Sequence, residues 1–265
     1  MNVFLRELRA NWKALFWWSF GMVLMIYAGM AKYTAYVDSG QDITAMMNQI
    51  PSTLRAALGF GDLDVMKASG FYGMLYLYVL LMVTIHAALL GATIVAKEER
   101  DRTSEFLMTR PASRARILTG KLLAAAVNVV VLNLVCLGLS VAVVAQYAHG
   151  EDLTSDILLL MGAMLLVQFV FLFLGSAIAA VWKRPKAAAS AATTVMLTTY
   201  VLSIVVDVNK NLDFLRYLTP FKWFQAAPIM RDQAYQPVYV ALAAVVAVAC
   251  IVATYVGYGK RDLYL

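Results

Sequence analysis

Few residues in this sequence have the types and spacing that enzyme chemistry requires. The only histidines are His86 and His149, and no group of cysteine and histidine has the spacing of a metal site. The sequence has no Gly-x-Ser-x-Gly elbow, no His-Glu-x-x-His and no Gly-rich phosphate-binding loop. Cys136 and Cys250 lie within apolar segments, where cysteine behaves as a small hydrophobic residue. The sequence therefore predicts no catalytic centre, and no metal or cofactor bound by this chain.

Charged residues concentrate instead in the segment 97–121. Thr103 can cap a short helix that ends before Pro111, and Ser113 can cap the helix that follows. A short transverse helix that is flanked by charged residues can dock into a groove on a soluble partner and transmit a rigid-body movement. The alternative is a solvated loop that only connects two helices.

The composition indicates what kind of element flanks this segment. Of the 265 residues, 62% are hydrophobic and 14% are charged, with a mean hydropathy of +0.72. Soluble domains have about 45–50% apolar and about 25% charged residues, whereas about 18–20 apolar residues span a bilayer. Six stretches without Asp, Glu, Lys or Arg reach that length: 14–31, 71–96, 122–148, 157–182, 187–206 and 233–259. The sequence predicts an all-α polytopic membrane protein, with residues 1–265 forming one transmembrane domain.

Basic residues fall mainly on one side of the membrane if the N-terminus is cytoplasmic and all six stretches cross. That side then carries fifteen of the 22 Lys and Arg and six of the 16 Asp and Glu, so its net charge is +9 against −3 outside. Cytoplasmic loops carry such an excess of Lys and Arg. Both termini are therefore predicted to be cytoplasmic, and the formal charge of +6 does not indicate nucleic-acid binding.

The first residues of the chain have an amphipathic pattern. Phe4, Leu8 and Trp12 recur at every fourth position, and basic residues occupy the other faces. This pattern predicts a separate helix over residues 1–13 that lies in the inner headgroup region. The alternative is a basic flank of the first span.

Two segments between spans are expected to hold short helices on the outer side. The segment 32–70 has apolar stripes that predict a helical hairpin on the outer leaflet. In the segment 207–232, aromatic residues are interleaved with charged ones. Pro220 interrupts this run, and Phe221 and Trp223 follow directly after it. An aromatic segment of this kind is expected to dip into the outer interface as one or two short helices.

Small residues mark two of the spans. Ala88, Ala92 and Ala96 repeat every four residues, which allows close approach of a second helix within the subunit or across a dimer. The span 187–206 is rich in Ala, Ser and Thr, which fits either close packing or the border of a polar path.

Polar side chains inside the spans are few. The candidates are His86, Asn128, Asn133 and Gln168. A single His or Asn in a membrane helix acts either as an interhelical hydrogen-bond partner or as part of a proton relay.

Several short motifs follow one another between 97 and 121. They read Glu98-Glu99, Thr103-x-Glu105-Phe106-Leu107, Thr109-x-Pro111-x-Ser113-Arg114, Ile117 and Gly120-Lys121. This run resembles the cytoplasmic loop of ABC-2 type ABC transporter permeases, with Arg102 where that family usually has Gly. The likeness extends to the amphipathic N-terminal helix, the six spans with cytoplasmic ends, the aromatic re-entrant element 218–224 and the basic ending 259–263.

The resemblance implies a permease subunit that pairs with itself or with a similar permease as a homodimer or heterodimer. It also implies two copies of a separate ATP-binding subunit, which would hold ATP and Mg. The loop and the N-terminal helix would transmit closure of those subunits to the spans. The coupling residues implied in this way are Glu98, Glu99, Arg100, Thr103, Glu105, Phe106, Leu107, Arg110, Pro111 and Arg114.

The expected function is therefore that of an exporter subunit in the plasma (inner) membrane of a prokaryote. The apolar spans and the aromatic outer segment favour a hydrophobic or amphipathic substrate, such as a drug, an antimicrobial peptide or a lipid-like molecule. An ABC-type complex that does mechanical or sensory work without net transport stays open. A secondary carrier would need an ionisable residue in the membrane, and His86 is the only one in the six stretches.

Overall fold

The computed structural model describes residues 2–38, 50–51, 55, 63–101, 113–148, 150–182 and 184–260. The hairpin expected within 32–70 falls largely outside these residues. The short coupling helix expected after Thr103 lies entirely outside them.

The described elements are helical throughout. The α-helices are α1 (Val3–Asp38), α2 (Ala68–Arg100), α3 (Arg114–Tyr147), α4 (Thr154–Val181), α5 (Ala188–Val208), α6 (Pro220–Trp223), α7 (Ala226–Asp232) and α8 (Pro237–Lys260), with 3₁₀ helices at Pro185–Ala187 and Lys210–Leu218. Six of these helices, α1–α5 and α8, are long and apolar enough to cross a membrane. The prediction of an all-α polytopic membrane protein with six spans is confirmed.

Two helices form the interior of the bundle. In their most apolar windows 72% of α2 and 56% of α4 is buried, against 17% of α1 and 11% of α8. Helix α4 packs on α2, α8, α3 and α5, while α1 packs mainly on α3. We call the end where α1 begins and α2 ends the basic end, and the other the opposite end.

Helices α2 and α4 cross at very close range. A Cβ atom on Gly91 would lie 2.0 Å from the carbonyl oxygen of Leu172, and one on Gly175 would lie 2.4 Å from that of Ala88. The hydroxyl of Ser176 donates to the Gly91 carbonyl across the crossing at 3.2 Å. The small residues of α2 therefore pack within the subunit, which decides between the two alternatives that the sequence left open.

The first helix corrects one prediction. Helix α1 runs without a break from Val3 to Asp38, so residues 1–13 do not form a helix separate from the first span. The physical reason is that this segment contains no proline, and its first glycine is Gly21, so nothing interrupts the helical hydrogen bonds near residue 13.

Other helix ends extend beyond the predicted spans. Helix α2 continues from 96 to Arg100, and α3 begins at Arg114 rather than 122, because charged residues that favour helix extend both helices past the apolar stretch. The last span begins later than predicted, at Pro237. Gln233 has φ 50° and ends α7, and proline is well suited to the first turn of the next helix.

The start of α3 carries the N-cap that the sequence predicts. The Ser113 side chain accepts a hydrogen bond from the backbone N–H of Arg116 at 3.3 Å. We expect Ser113→Ala to destabilise this helix end by about 1 kcal/mol. Hydrogen exchange of the first-turn amides of α3 should then accelerate, whereas Ser190→Ala, which removes no N-cap bond, should leave the start of α5 unchanged.

Candidate functional site

A buried ion pair joins the two helices that flank the predicted coupling loop. Lys121 of α3 is fully buried, and Glu98 of α2 is 8% exposed. The Lys121 ammonium contacts the Glu98 carboxylate and donates to the carbonyl oxygen of Ile94 at 2.8 Å. Because the ammonium has both an anion and a carbonyl as partners, its charge is compensated inside the bundle.

The first helix joins the same ion pair. Arg6 Nη2 lies 3.1 Å from Glu98 Oε1 and 2.8 Å from Glu7 Oε1, and Lys97 Nζ lies 3.4 Å from Glu7 Oε2. Glu7 is itself fully buried. We call Arg6, Glu7, Lys97, Glu98 and Lys121 the basic-end ion cluster. It links α1, α2 and α3 at the place where the loop leaves the bundle.

The predicted coupling residues divide according to where the structure puts them. Glu98 faces inward, where its carboxylate pairs with Arg6 of α1 and Lys121 of α3. Glu99 is half-buried on the same turn. Arg114 is exposed and donates to the carbonyl oxygen of Gly259 at 3.3 Å, so it ties α3 to the end of α8. The others, Thr103, Glu105, Phe106, Leu107, Arg110 and Pro111, lie outside the described residues.

The end of α2 also carries an exposed pair. Arg100 Nε lies 2.9 Å from Asp101 Oδ1. The hydrogen bond from Arg100 holds the pKa of the Asp101 carboxyl below its ordinary value. Asp101 therefore carries a negative charge at the end of α2, next to the positive charge of Arg100.

The apolar stripe of the first helix, formed by Phe4, Leu8 and Trp12, packs against other helices of the chain along most of its length. Phe4 and Leu8 contact the buried apolar group that includes Leu118 and Leu122. A Cβ on Gly120 would lie 3.5 Å from the backbone nitrogen of Phe4, so α1 and α3 approach closely there. Trp12 is 58% exposed and leaves this contact.

The aromatic element at the opposite end is an internal structure. Phe221 is 3% exposed and lies between the rings of Phe171 in α4 and Tyr200 in α5, with centroid distances of 5.4 and 5.3 Å. Pro220 and Trp223 are buried with it. Protein therefore covers α6, and the exposed aromatic residues of the segment lie on the preceding 3₁₀ helix.

Sequence reasoning missed an ion pair in this element. Lys222 of α6 is 8% exposed, and its ammonium contacts the Asp207 carboxylate near the end of α5. The only signal available was a lysine within the aromatic run 217–224. The sequence gives as little sign of the basic-end ion cluster, because Glu7, Lys97 and Lys121 stand among other charged residues beside the apolar stretches.

One interior polar pair acts as the sequence suggests. Asn133 Nδ2 donates to the Met161 carbonyl at 3.1 Å and to Gln168 Oε1 at 3.2 Å, which joins α3 to α4. His86 lies against the ring of Trp18 with centroids 5.3 Å apart. Within the described ranges, no group of three or more His, Cys, Asp or Glu could hold a metal ion.

Six apolar spans with charged clusters at their ends define a helical multi-pass membrane protein. The family model described as ABC-2 family transporter protein matches residues 1–263. The chain belongs to this family, so it is a membrane transport subunit that is not itself catalytic, and membership implies an ATP-binding partner subunit. A comparison with curated proteins finds no match.

Proposed function

We propose that this chain is the permease subunit of an ATP-driven exporter of a hydrophobic or amphipathic substrate. Two copies of a separate ATP-binding subunit would hold ATP and Mg and hydrolyse ATP. This chain would bind no cofactor and would supply half of the transmembrane path, paired with itself or with a similar permease.

The observation that supports this proposal most directly is the basic-end ion cluster. It joins the two flanks of the loop to each other through Glu98 and Lys121, and it joins the α2 flank to the first helix through the pairs Glu98–Arg6 and Lys97–Glu7. A push on a loop anchored in this way moves α1, α2 and α3 together, because breaking a buried ion pair is costly. We propose that closure of the ATP-binding subunits reaches the spans through this cluster.

Exposed faces of the outer helices support pairing with a second permease. In α5 the hydroxyl residues Ser190, Thr194 and Thr198 are all exposed and follow one another at every fourth position. Thr198 donates to the Thr194 carbonyl at 2.8 Å, so its hydroxyl is satisfied within α5 itself. This stripe is suited to border a second permease or the transport path.

The charge distribution supports an orientation. The basic end holds the loop flanks and Lys260 as well as the start of the chain. The positive-inside rule places such an end in the cytoplasm. We propose a plasma (inner) membrane location in a prokaryote, with both termini cytoplasmic.

A charge reversal in the loop tests the coupling proposal. In the complex of this chain with its ATP-binding subunit, Glu105→Arg is expected to lower permease-dependent ATP hydrolysis at least ~tenfold. A reversed charge at a docking contact costs about 2–5 kcal/mol, and each 1.4 kcal/mol is about tenfold. The measurement is the hydrolysis rate of the purified complex minus that of the ATP-binding subunit alone.

The matched control for this test is Glu151→Arg. Glu151 is an exposed glutamate at the opposite end, where it accepts a hydrogen bond from the backbone of Ser69. It should leave permease-dependent hydrolysis within about twofold of the wild type, because a surface charge contributes little. Unchanged hydrolysis in the Glu105→Arg complex, with both subunits present in normal amounts, would rule out docking at this loop.

A further inference from the structure

Two adjoining cavities lie at the opposite end of the bundle. One of about 510 Å³ lies beside α7 and the 3₁₀ helix that precedes α6, and one of about 300 Å³ lies between α2 and α5. Their shared wall consists of Asp207, Lys222, Gln225 and Pro228. Together they are within the size range of sites for drug-sized ligands, about 300–1,000 Å³.

The larger cavity has a charged lining that contains more carboxylates than cations. Three carboxylates face two cations in its wall, namely Asp207, Asp213, Asp232, Arg216 and Lys222. Arg216 lies 3.2 Å from Asp213, and Lys222 contacts Asp207. Asp232 pairs with Arg231, which lies outside the lining, with 2.8 Å between Arg231 Nε and Asp232 Oδ1. Every carboxylate of the wall therefore has a cationic partner, and the wall itself presents three carboxylates against two cations.

The smaller cavity is mainly apolar and aromatic. Tyr76, Tyr200, Phe221 and Phe224 line it together with aliphatic residues such as Leu80. Aromatic faces carry a negative electrostatic potential and attract cations as well as apolar groups. This cavity suits the apolar body of a ligand whose charged group is positive.

Asp207 stands at the junction of the two cavities. Its side chain is 27% exposed, whereas that of its partner Lys222 is 6% exposed. A ligand in the cavities therefore reaches the carboxylate more easily than the ammonium, which lies behind it.

We infer that the two cavities form one binding site for an amphipathic cation. Its apolar body occupies the aromatic cavity, and its positive group lies against Asp207 where the larger cavity begins. This inference deepens the proposed export function, on which it rests, by naming the substrate class.

Two ions of nearly the same size and shape but opposite charge provide the test. Tetraphenylphosphonium and tetraphenylborate are each equilibrated with the full chain in phosphatidylcholine nanodiscs, and binding to empty nanodiscs is subtracted. We expect saturable binding of the phosphonium and at least ~tenfold weaker binding of the borate. Equal binding of both ions, or preference for the borate, would overturn the inference without any variant being needed.

Two variants that break the same ion pair then locate the site. Asp207→Asn is expected to weaken phosphonium binding at least ~tenfold, because it removes the anion. Lys222→Gln is expected to keep or strengthen binding, because it frees the Asp207 carboxylate. Damage to the fold would affect both variants alike, so equal weakening would also overturn the site.

Failure of this inference is distinguishable from failure of the proposed function. The binding measurement uses the permease without its ATP-binding subunit and without nucleotide. Absence of phosphonium binding together with normal permease-dependent ATP hydrolysis contradicts the cation site alone. Binding without such hydrolysis contradicts the proposed transport coupling alone.

Discussion

Replacing Lys121 with methionine is expected to destabilise the folded chain by about 3–5 kcal/mol. The substitution removes the fully buried cation of the basic-end ion cluster and leaves the Glu98 carboxylate with Arg6 as its remaining partner. An undercompensated buried carboxylate is costly because the interior cannot solvate it as water does. The unfolding free energy is measured in mixed micelles, with circular dichroism as the signal that reports unfolding.

Two further variants separate charge from general damage. Arg231 pairs with Asp232, and the Arg231 side chain is 73% exposed. Arg231→Met should therefore lower the unfolding free energy by less than about 1 kcal/mol. Adding Glu98→Gln to Lys121→Met should restore part of the lost stability, because both buried charges are then gone. A Lys121→Met variant as stable as Arg231→Met would show that the cluster does not hold the three helices together.

Replacing Gly91 with alanine is expected to cost about 3 kcal/mol or more, although it adds one methyl group. The new Cβ would lie 2.0 Å from the Leu172 carbonyl oxygen, which is backbone and cannot move aside without shifting α4. Since α2 and α4 form the interior of the bundle, their separation would also disturb the packing of α3, α5 and α8. The measurement is the thermal transition of the detergent-solubilised chain.

The control for this prediction is the same substitution at an open position. Among the described residues outside its own helical turn, none has an atom within 4 Å of a Cβ on Gly138 of α3, so Gly138→Ala should be neutral or stabilise the helix by up to about 1 kcal/mol. Equal transition temperatures for the Gly91→Ala and Gly138→Ala chains would contradict the close crossing of α2 and α4.

The spans could be predicted from the sequence because the length of an uncharged apolar stretch is enough to identify a membrane-spanning helix. A stretch such as 157–182 has no charged residue, and a helix is the element that satisfies its backbone in a bilayer. The N-cap at Ser113 was predictable for a similar reason, since it depends on a residue and its neighbour three positions on.

The ion clusters could not be predicted because their partners are distant in sequence. Glu98 and Lys121 are separated by the whole segment between α2 and α3, and Arg6 comes from another helix. Charged residues at the ends of spans also look the same whether they face water or one another. Only the packing of α1 against α3 shows that Glu7 and Lys121 are buried.

The aromatic segment shows a similar ambiguity. Phe221 and Trp223 have the composition of a membrane-interface belt, yet α4 and α5 cover the α6 element that carries them. Aromatic residues are suited to both environments, so composition does not distinguish them. The pairing of Lys222 with Asp207 could be found only once both helices were placed.

We expect this permease to work with a separate ATP-binding subunit. Its most direct test is a gentle detergent pull-down of the tagged full chain from its native membrane, followed by an ATPase assay. We predict that a soluble subunit with a phosphate-binding Gly-rich loop accompanies the chain and that the sample hydrolyses ATP in a vanadate-sensitive way. Isolation of the chain alone, without nucleotide-dependent activity, would contradict this expectation and favour a carrier mechanism that uses His86.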